Sequence, residues 1–300
     1  IARRKESERN LASILENAIN VLDSEDLLDY YPERSSYGKD RNEQLFNIAL
    51  SLTINWVNRI LFLKLLEAQL IKYHKGDSSY SFMNLNKITD YDELNKLFFQ
   101  VLAKRPQDRK DVINAKYGKV PYLNSSLFEV SSLEKGTIRI SNLENHDLPL
   151  FGGTVLRDGG KPRYRQLPTL RYLLEFLDAY DFASEGNEDI QENAKPLINA
   201  SVLGLIFEKI NGHKDGSVFT PGAVTMYMSR EAIQQTVVWK FNEVMGWTCK
   251  DYEELKDKDI EDYVKANAIV DSLRICDPAV GSGHFLVSVL NEIIRTKYDL

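Results

Sequence analysis

Nine consecutive residues near the C-terminal end of the chain could do chemistry together: Asp277-Pro278-Ala279-Val280-Gly281-Ser282-Gly283-His284-Phe285. An apolar run from Ser272 to Asp277 precedes them, and an amphipathic stretch from Phe285 to Ile294 follows. Together these predict a short strand, a glycine turn and a helix. An open α/β sheet presents a nucleotide-like ligand in this way. The acid ends the strand, the glycines let backbone approach the ligand, and the helix N-terminus aims its free N–H groups at it. The strand–turn–helix context supplies what a bare glycine pattern lacks.

Two ligand classes fit poorly. The lysine-bearing phosphate loop needs G-x-x-x-x-G-K-[ST], which is absent, and dinucleotide enzymes prefer three glycines where this loop has Gly281 and Gly283. S-adenosylmethionine needs its amino acid portion held by polar backbone and a nearby acid, and Asp277 at the strand end suits that ammonium group. About fifty residues upstream stands Gly216-Ser-Val-Phe-Thr220-Pro221. Thr220 suits an N-cap and Pro221 a first turn, so a helix is expected from about Gly222 to Asn242. Alone, that pair reads as a helix cap. Phe285 reads as core in any case.

The elements that must position these residues are mostly helices. The spacing of Leu11, Ile14, Leu15, Ala18, Ile19 and Leu22 predicts a helix over 7–22. Asp40 could cap a long one from about Asn42 to Tyr73, with Leu45, Ile48, Leu52, Trp56, Ile60 and Leu63 as core, ended by Gly76-Asp-Ser-Ser. Tyr91 to Leu102 reads as another. Between Pro106 and Leu167 glycine, proline and serine cluster, with β-like pieces at Thr137–Ile140 and Gly153–Leu156. Helical periodicity returns at Leu170–Leu177 and at Lys195–Asn211, with a polar loop at Asn187–Asn193 between them. The polar segment Lys250–Lys265 leads into the strand that ends at Asp277.

Composition bounds the rest. The 300 residues are 43% hydrophobic and 27% charged, and no apolar run reads as long enough to span a bilayer. The two cysteines, Cys249 and Cys276, argue against a disulfide framework and for a reducing, cytoplasmic setting, with Cys276 placed in a core strand. Four scattered histidines offer no metal-ligand spacing. The first residue is Ile1, and the chain reads as a fragment of a longer polypeptide. A net charge of −6 argues against the whole being a polyanion-binding module. Local basic clusters remain at Arg157–Arg165, at Lys104-Arg105 and at Arg109-Lys110, each readable as a solvated loop.

Asp277 to Phe285 resembles the first motif of DNA adenine-N6 methyltransferases, and Gly216 to Pro221 resembles their motif X. Motif X preceding motif I is similar to the γ-type enzymes. Leu203-Gly-Leu-Ile-Phe-Glu208 and Pro121-Tyr-Leu-Asn124…Leu127-Phe128 look like the region before the methylase in type IIG restriction–modification fusions and in BREX-like methylases. The resemblance implies an α-rich N-terminal region followed by the start of an α/β Rossmann-like S-adenosylmethionine-dependent methyltransferase domain. It divides the chain into a helical scaffold (1–105), a mixed irregular and β connector (106–168), a helical segment (169–213) and the methyltransferase start with motifs X and I (214–300).

By that resemblance Thr220 and Pro221 close over the methionine end of the cofactor. Asp277, Ala279, Gly281 and Gly283 form the floor of its pocket, and Phe285 packs beneath the loop; Pro278 and Ser282 complete the cofactor-binding set, with Ser282 either donating to the cofactor or capping the helix. The implied cofactor is S-adenosylmethionine and the implied partner double-stranded DNA, reached through the full-length protein, with no membrane involved. The catalytic [Asn/Asp/Ser]-Pro-Pro-[Tyr/Phe] tetrapeptide, which would orient the N6 lone pair of a flipped adenine, is absent from these residues. The chain alone is therefore expected to be inactive and to carry no catalytic residue. Mg²⁺ would enter only with an upstream nuclease; Glu134-Lys135 and Glu208-Lys209 lack the acid-x-Lys spacing such a site needs. A methyltransferase acting on protein glutamine or RNA, or a non-catalytic helical scaffold with a partial cofactor fold, are the alternatives.

Overall fold

Ser13 and Asp40 start the first two helices. The Ser13 hydroxyl accepts the Glu16 N–H to begin α1 (Ile14–Ser24), and the Asp40 carboxylate accepts the Glu43 N–H at 2.9 Å to begin α2 (Arg41–Tyr73). The computed structural model describes residues 3–182, 198, 202, 206, 209–210, 220, 222–278 and 283–300, and it divides into two units, Ile1–Leu203 and Gly204–Leu300. The expected loop at Asn187–Asn193 lies outside the described residues, as does most of Lys195–Asn211.

In the first unit α2 is the central element. Its Leu45, Ile48, Leu52, Trp56, Ile60 and Leu63 recur at helical spacing and are all buried, packing in one core with Ala18 and Leu22 of α1. Around them lie α3 (Tyr91–Lys96) with the π-helical turn Leu97–Leu102 that continues it, then α4 (Asp111–Tyr117) and α5 (Ser132–Gly136). Beyond a β excursion comes α6 (Thr169–Asp178), which adds Leu170, Leu174 and Leu177 to the same core. Phe128, Ile138 and Ile140 from the expected connector are fully buried there too, so its packing is continuous with the helices.

Several expectations need correction. The first helix begins at Ile14 rather than Ser7, because the Asn10 side chain takes the Ala12 N–H and Ser13 caps, leaving Leu11 60% exposed. Thr137–Ile140 is no strand. Its Thr137 hydroxyl bonds back to the Leu133 carbonyl, and the Arg139 N–H goes to the Asn142 side chain, so local bonds replace a ladder. The strands of this unit are instead β1 (Asp147–Pro149) paired antiparallel with β4 (Gln166–Pro168), and β2 (Arg157–Asp158) paired with β3 (Lys161–Pro162). Gly153–Leu156 lies between them as turn and loop. α2 is long and apolar enough by composition to cross a membrane, contrary to the reading of the sequence. It is the core helix of this unit, and buried Arg59, Lys64 and Glu67 are ion-paired along it.

The second unit is built from α7 (Gly222–Met245), α8 (Tyr252–Lys256), α9 (Tyr263–Asp271) and α10 (His284–Asp299). Two of these helices, α8 and the start of α9, lie in the stretch read as a polar lead-in; Asp251 and Asp262 cap them. Ile233, Val237 and Phe241 of α7, Leu255 of α8, and Ile269 and Val270 of α9 share a core. The segment 273–277, expected as a strand, has no regular secondary structure and among the described residues pairs with no strand. A strand gains its ladder only from a neighbour. Without one, Cys276 is exposed instead of lying in a core strand, while Cys249 is buried.

Candidate functional site

The sequence placed its site in two loops, one before α7 and one before α10. The two helices that follow them pack on each other. Thr225, in the first turn of α7, has its hydroxyl 3.3 Å from that of Ser288 in α10, and Gln234 donates to the Glu292 carboxylate at 3.1 Å further along both helices. Contacts that advance in the same sense along both chains mean the helices run side by side with their N-termini at the same end. Val289 and Ile293 of α10 pack on the α7 core between and beyond these polar pairs. Thr220 and Gly283, which precede the two helices, therefore stand toward the same end of the helix pair, where two positive dipole ends lie together.

Thr220 is exposed two residues before α7, and Asp277 is half-buried at the close of the segment 273–277, followed by exposed Pro278. Gly283 stands immediately before α10 with φ +80°, the left-handed region that favours glycine, and a Cβ placed on it would meet nothing within 4 Å. Glycine is required there by backbone conformation alone, and the space beside it is open to an incoming group. Phe285 is half-buried in the first turn of α10. Pro221, Ala279, Gly281 and Ser282 lie outside the described residues. A groove of about 420 Å³ runs between the helices near this end, lined by Ala223, Met226, Tyr227, Arg230, Asn291 and Arg295.

Sequence reasoning missed the polar contacts that set the helices side by side. Thr225 and Ser288 are small polar residues one turn into their helices. That position was the available signal. Reasoning also missed the charged chemistry inside the first unit. Arg59, 2% exposed, donates to the Leu127 and Glu129 carbonyls and forks onto Glu134, which also accepts the Trp56 indole N–H at 3.0 Å. Burial pushes the Glu134 carboxyl up, but bonds from Arg59, Ser131 and Trp56 outweigh it and hold it below the usual range. Every strong acceptor site on that carboxylate is engaged, so Glu134 is a structural counter-ion and no nuclease acid. Arg109, expected on a basic surface loop, is buried and donates to the carbonyls of Lys104 and Val120. Among the described residues no group of His, Cys, Asp and Glu could hold a metal ion.

Residues 1–198 match the family described as Domain of unknown function (DUF7814), which is most of the chain. The chain belongs to this family. A second match is to a protein of Methanocaldococcus jannaschii that carries the name of a type II restriction enzyme and methyltransferase. It is 29% identical over 271 residues, covering 80% of this chain and 20% of the relative. The chain thus spans about a fifth of that relative's length. Four-fifths of 300 residues exceeds 198, so this likeness extends past the DUF7814 portion into the stretch leading to or containing the motifs. No solved structure matches.

Proposed function

We propose that this chain is part of an S-adenosylmethionine-dependent DNA adenine-N6 methyltransferase of a restriction–modification or phage-defence system. In that reading the DUF7814 portion is a scaffold and the second unit opens the cofactor-binding domain. The observation that carries it is the side-by-side pairing of α7 and α10, which sets Thr220 and Gly283 toward one end of the helix pair. The name of the M. jannaschii relative supports the restriction–modification setting. The residues present fit the cofactor. Asp277 would take its ammonium group, the N–H groups opening α10 would take its carboxylate, and the left-handed Gly283 leaves room for both. When bound, S-adenosylmethionine supplies the sulfonium methyl. These residues hold and orient; no group among them takes the adenine.

A second feature supports an α/β domain. α10 carries apolar residues on two faces. Val289 and Ile293 pack on α7, while Leu286, Val287, Leu290 and Ile294 are exposed, Val287 and Ile294 each at 58%. A helix apolar on both sides is one made to be covered on both sides. Ile275 of the segment 273–277 is also exposed. A sheet built around residues 273–277 would cover that segment and the second face of α10 together, as in doubly wound folds.

The test is cofactor binding by calorimetry, with the protein as encoded, comparing wild type with Asp277→Asn and Gly283→Val. Loss of the charged contact should weaken binding about tenfold or more, since hydrogen bonds to charged groups contribute about 1.5–3 kcal/mol. Equal affinity in wild type and Asp277→Asn would remove Asp277 from the site. A wild-type protein that binds no S-adenosylmethionine would leave the scaffold reading.

A further inference from the structure

The β excursion between α5 and α6 is locally basic in a chain of net charge −6. β1 and β4 form one two-stranded antiparallel sheet at its base, and β2 and β3 form a second, with two residues in each strand, at the tip of this ribbon. The tip turns through Gly159 and Gly160, at φ +54° and +80°. Positive φ at both central residues marks the tight hairpin turn whose twist matches its strands. A Cβ at either glycine would meet nothing within 4 Å, so the tip stands clear of its surroundings.

From Leu150 to Arg165 the ribbon holds Arg157, Lys161, Arg163 and Arg165 against a single acid, Asp158, in a chain whose net charge is −6. All four cations are exposed, and among the described residues none of them makes a salt bridge. The neighbouring Arg171 is different: Glu175 neutralises it at 2.6 Å, and its guanidinium lies over the Tyr164 ring. Phe151, 70% exposed, sits beside the cations, and the carbonyl of Gly152 accepts from the Arg157 guanidinium. Leu156 and Leu167, 5% and 4% exposed, anchor the ribbon from beneath.

We infer that this ribbon is a docking element for the phosphate backbone of duplex DNA. Three of the four cations are arginines, whose planar forks match phosphate oxygens bidentately. A two-stranded ribbon is narrow enough to enter a major groove, with arginines reaching the flanking phosphates. An exposed aromatic beside them adds a surface for sugar or base contact. A local positive field on this projection orients the approach of a polyanion to an otherwise net-negative chain. The choice of DNA as that polyanion rests on the reading proposed above; the unpaired cations and the ribbon do not.

The experiment titrates a labelled mixed-sequence duplex with the 300-residue chain at several salt concentrations between about 50 and 200 mM. It compares wild type, Arg163→Gln/Arg165→Gln, and Lys250→Gln as a control at an exposed cation of the other unit. The double variant is expected to bind on the order of tenfold more weakly, with the slope of log K against log salt reduced by about 1.8, two phosphate contacts' worth. The control should match wild type. Because the two arginines are exposed, an unchanged circular dichroism spectrum will show that the fold is kept. Equal affinity and slope in wild type and double variant would overturn the ribbon while leaving the DNA reading intact. Absence of duplex binding by the wild type at about 50 mM salt would overturn the ribbon's assignment to DNA. So would binding to heparin with none to the duplex. Cofactor affinity measured on the same preparations separates these outcomes from failure of the methyltransferase reading.

Discussion

The two units handle their difficult groups in opposite ways. The first unit buries Arg59, Lys64, Glu67 and Glu134 and gives each a partner: Glu67 alone takes the Lys64 ammonium and the Phe82 and Met83 N–H groups. The second unit leaves Leu286, Leu290 and Ile294 of α10, and Met226, Tyr227 and Met228 of α7, exposed. A buried charge without a partner and an apolar stripe without a cover are both unfavourable. The first unit pairs these four groups internally. The second leaves an apolar surface uncovered among the described residues, as the proposed larger α/β domain requires.

That contrast can be broken most sharply at Glu134. Replacing it with Ala strands the Arg59 guanidinium in the core. We expect a loss of about 3–5 kcal/mol in urea unfolding followed by Trp fluorescence, as for other broken buried pairs. A loss under 1 kcal/mol would mean that water reaches the pair and that the first unit is less closed than its geometry shows. The second unit gives the mirror test. Leu290→Ser should leave the stability of the 300-residue chain within about 0.5 kcal/mol, as exposed substitutions do. In the protein as encoded it should remove about 1.5–3 kcal/mol if a sheet covers α10. No difference between the two settings would make the exposed face a true surface.

Much of the first unit was legible because long helices announce themselves. The Leu45–Leu63 spacing and the Asp40 cap give α2 directly, and Asp40→Ala should lower thermal stability by about 1 kcal/mol in calorimetry. The strands were misread because alternating isoleucines at 138 and 140 can be buried by a loop whose backbone bonds locally, while the true ribbon is polar and carries only a turn signal, Gly159-Gly160. The two loop motifs were legible as sequence patterns. The side-by-side pairing of α7 and α10 was not, since nothing in the spacing says that Thr225 meets Ser288. The pairing of Arg59 with Glu134, 75 residues apart, is equally silent in one sequence.

The smallest expected effect is in pH. Glu134 titrates below its ordinary value when folded, so the stability it contributes is present above the unfolded carboxylate pKa and is lost as pH falls through the lower folded one. Unfolding midpoints in acid should therefore fall less steeply in Glu134→Gln than in wild type. Equal slopes would assign the acid sensitivity to other carboxylates.

The Arg59 fork also sets an order of events during synthesis. Its acceptors, Leu127, Glu129 and Glu134, are translated some 70 residues after it, yet its own burial lies at the middle of α2. Until Glu134 has emerged from the ribosome, the guanidinium has no counter-charge in its core position, and the middle of α2 must keep that face in water. The central helix can coil early, but its packing waits for a segment made long after it.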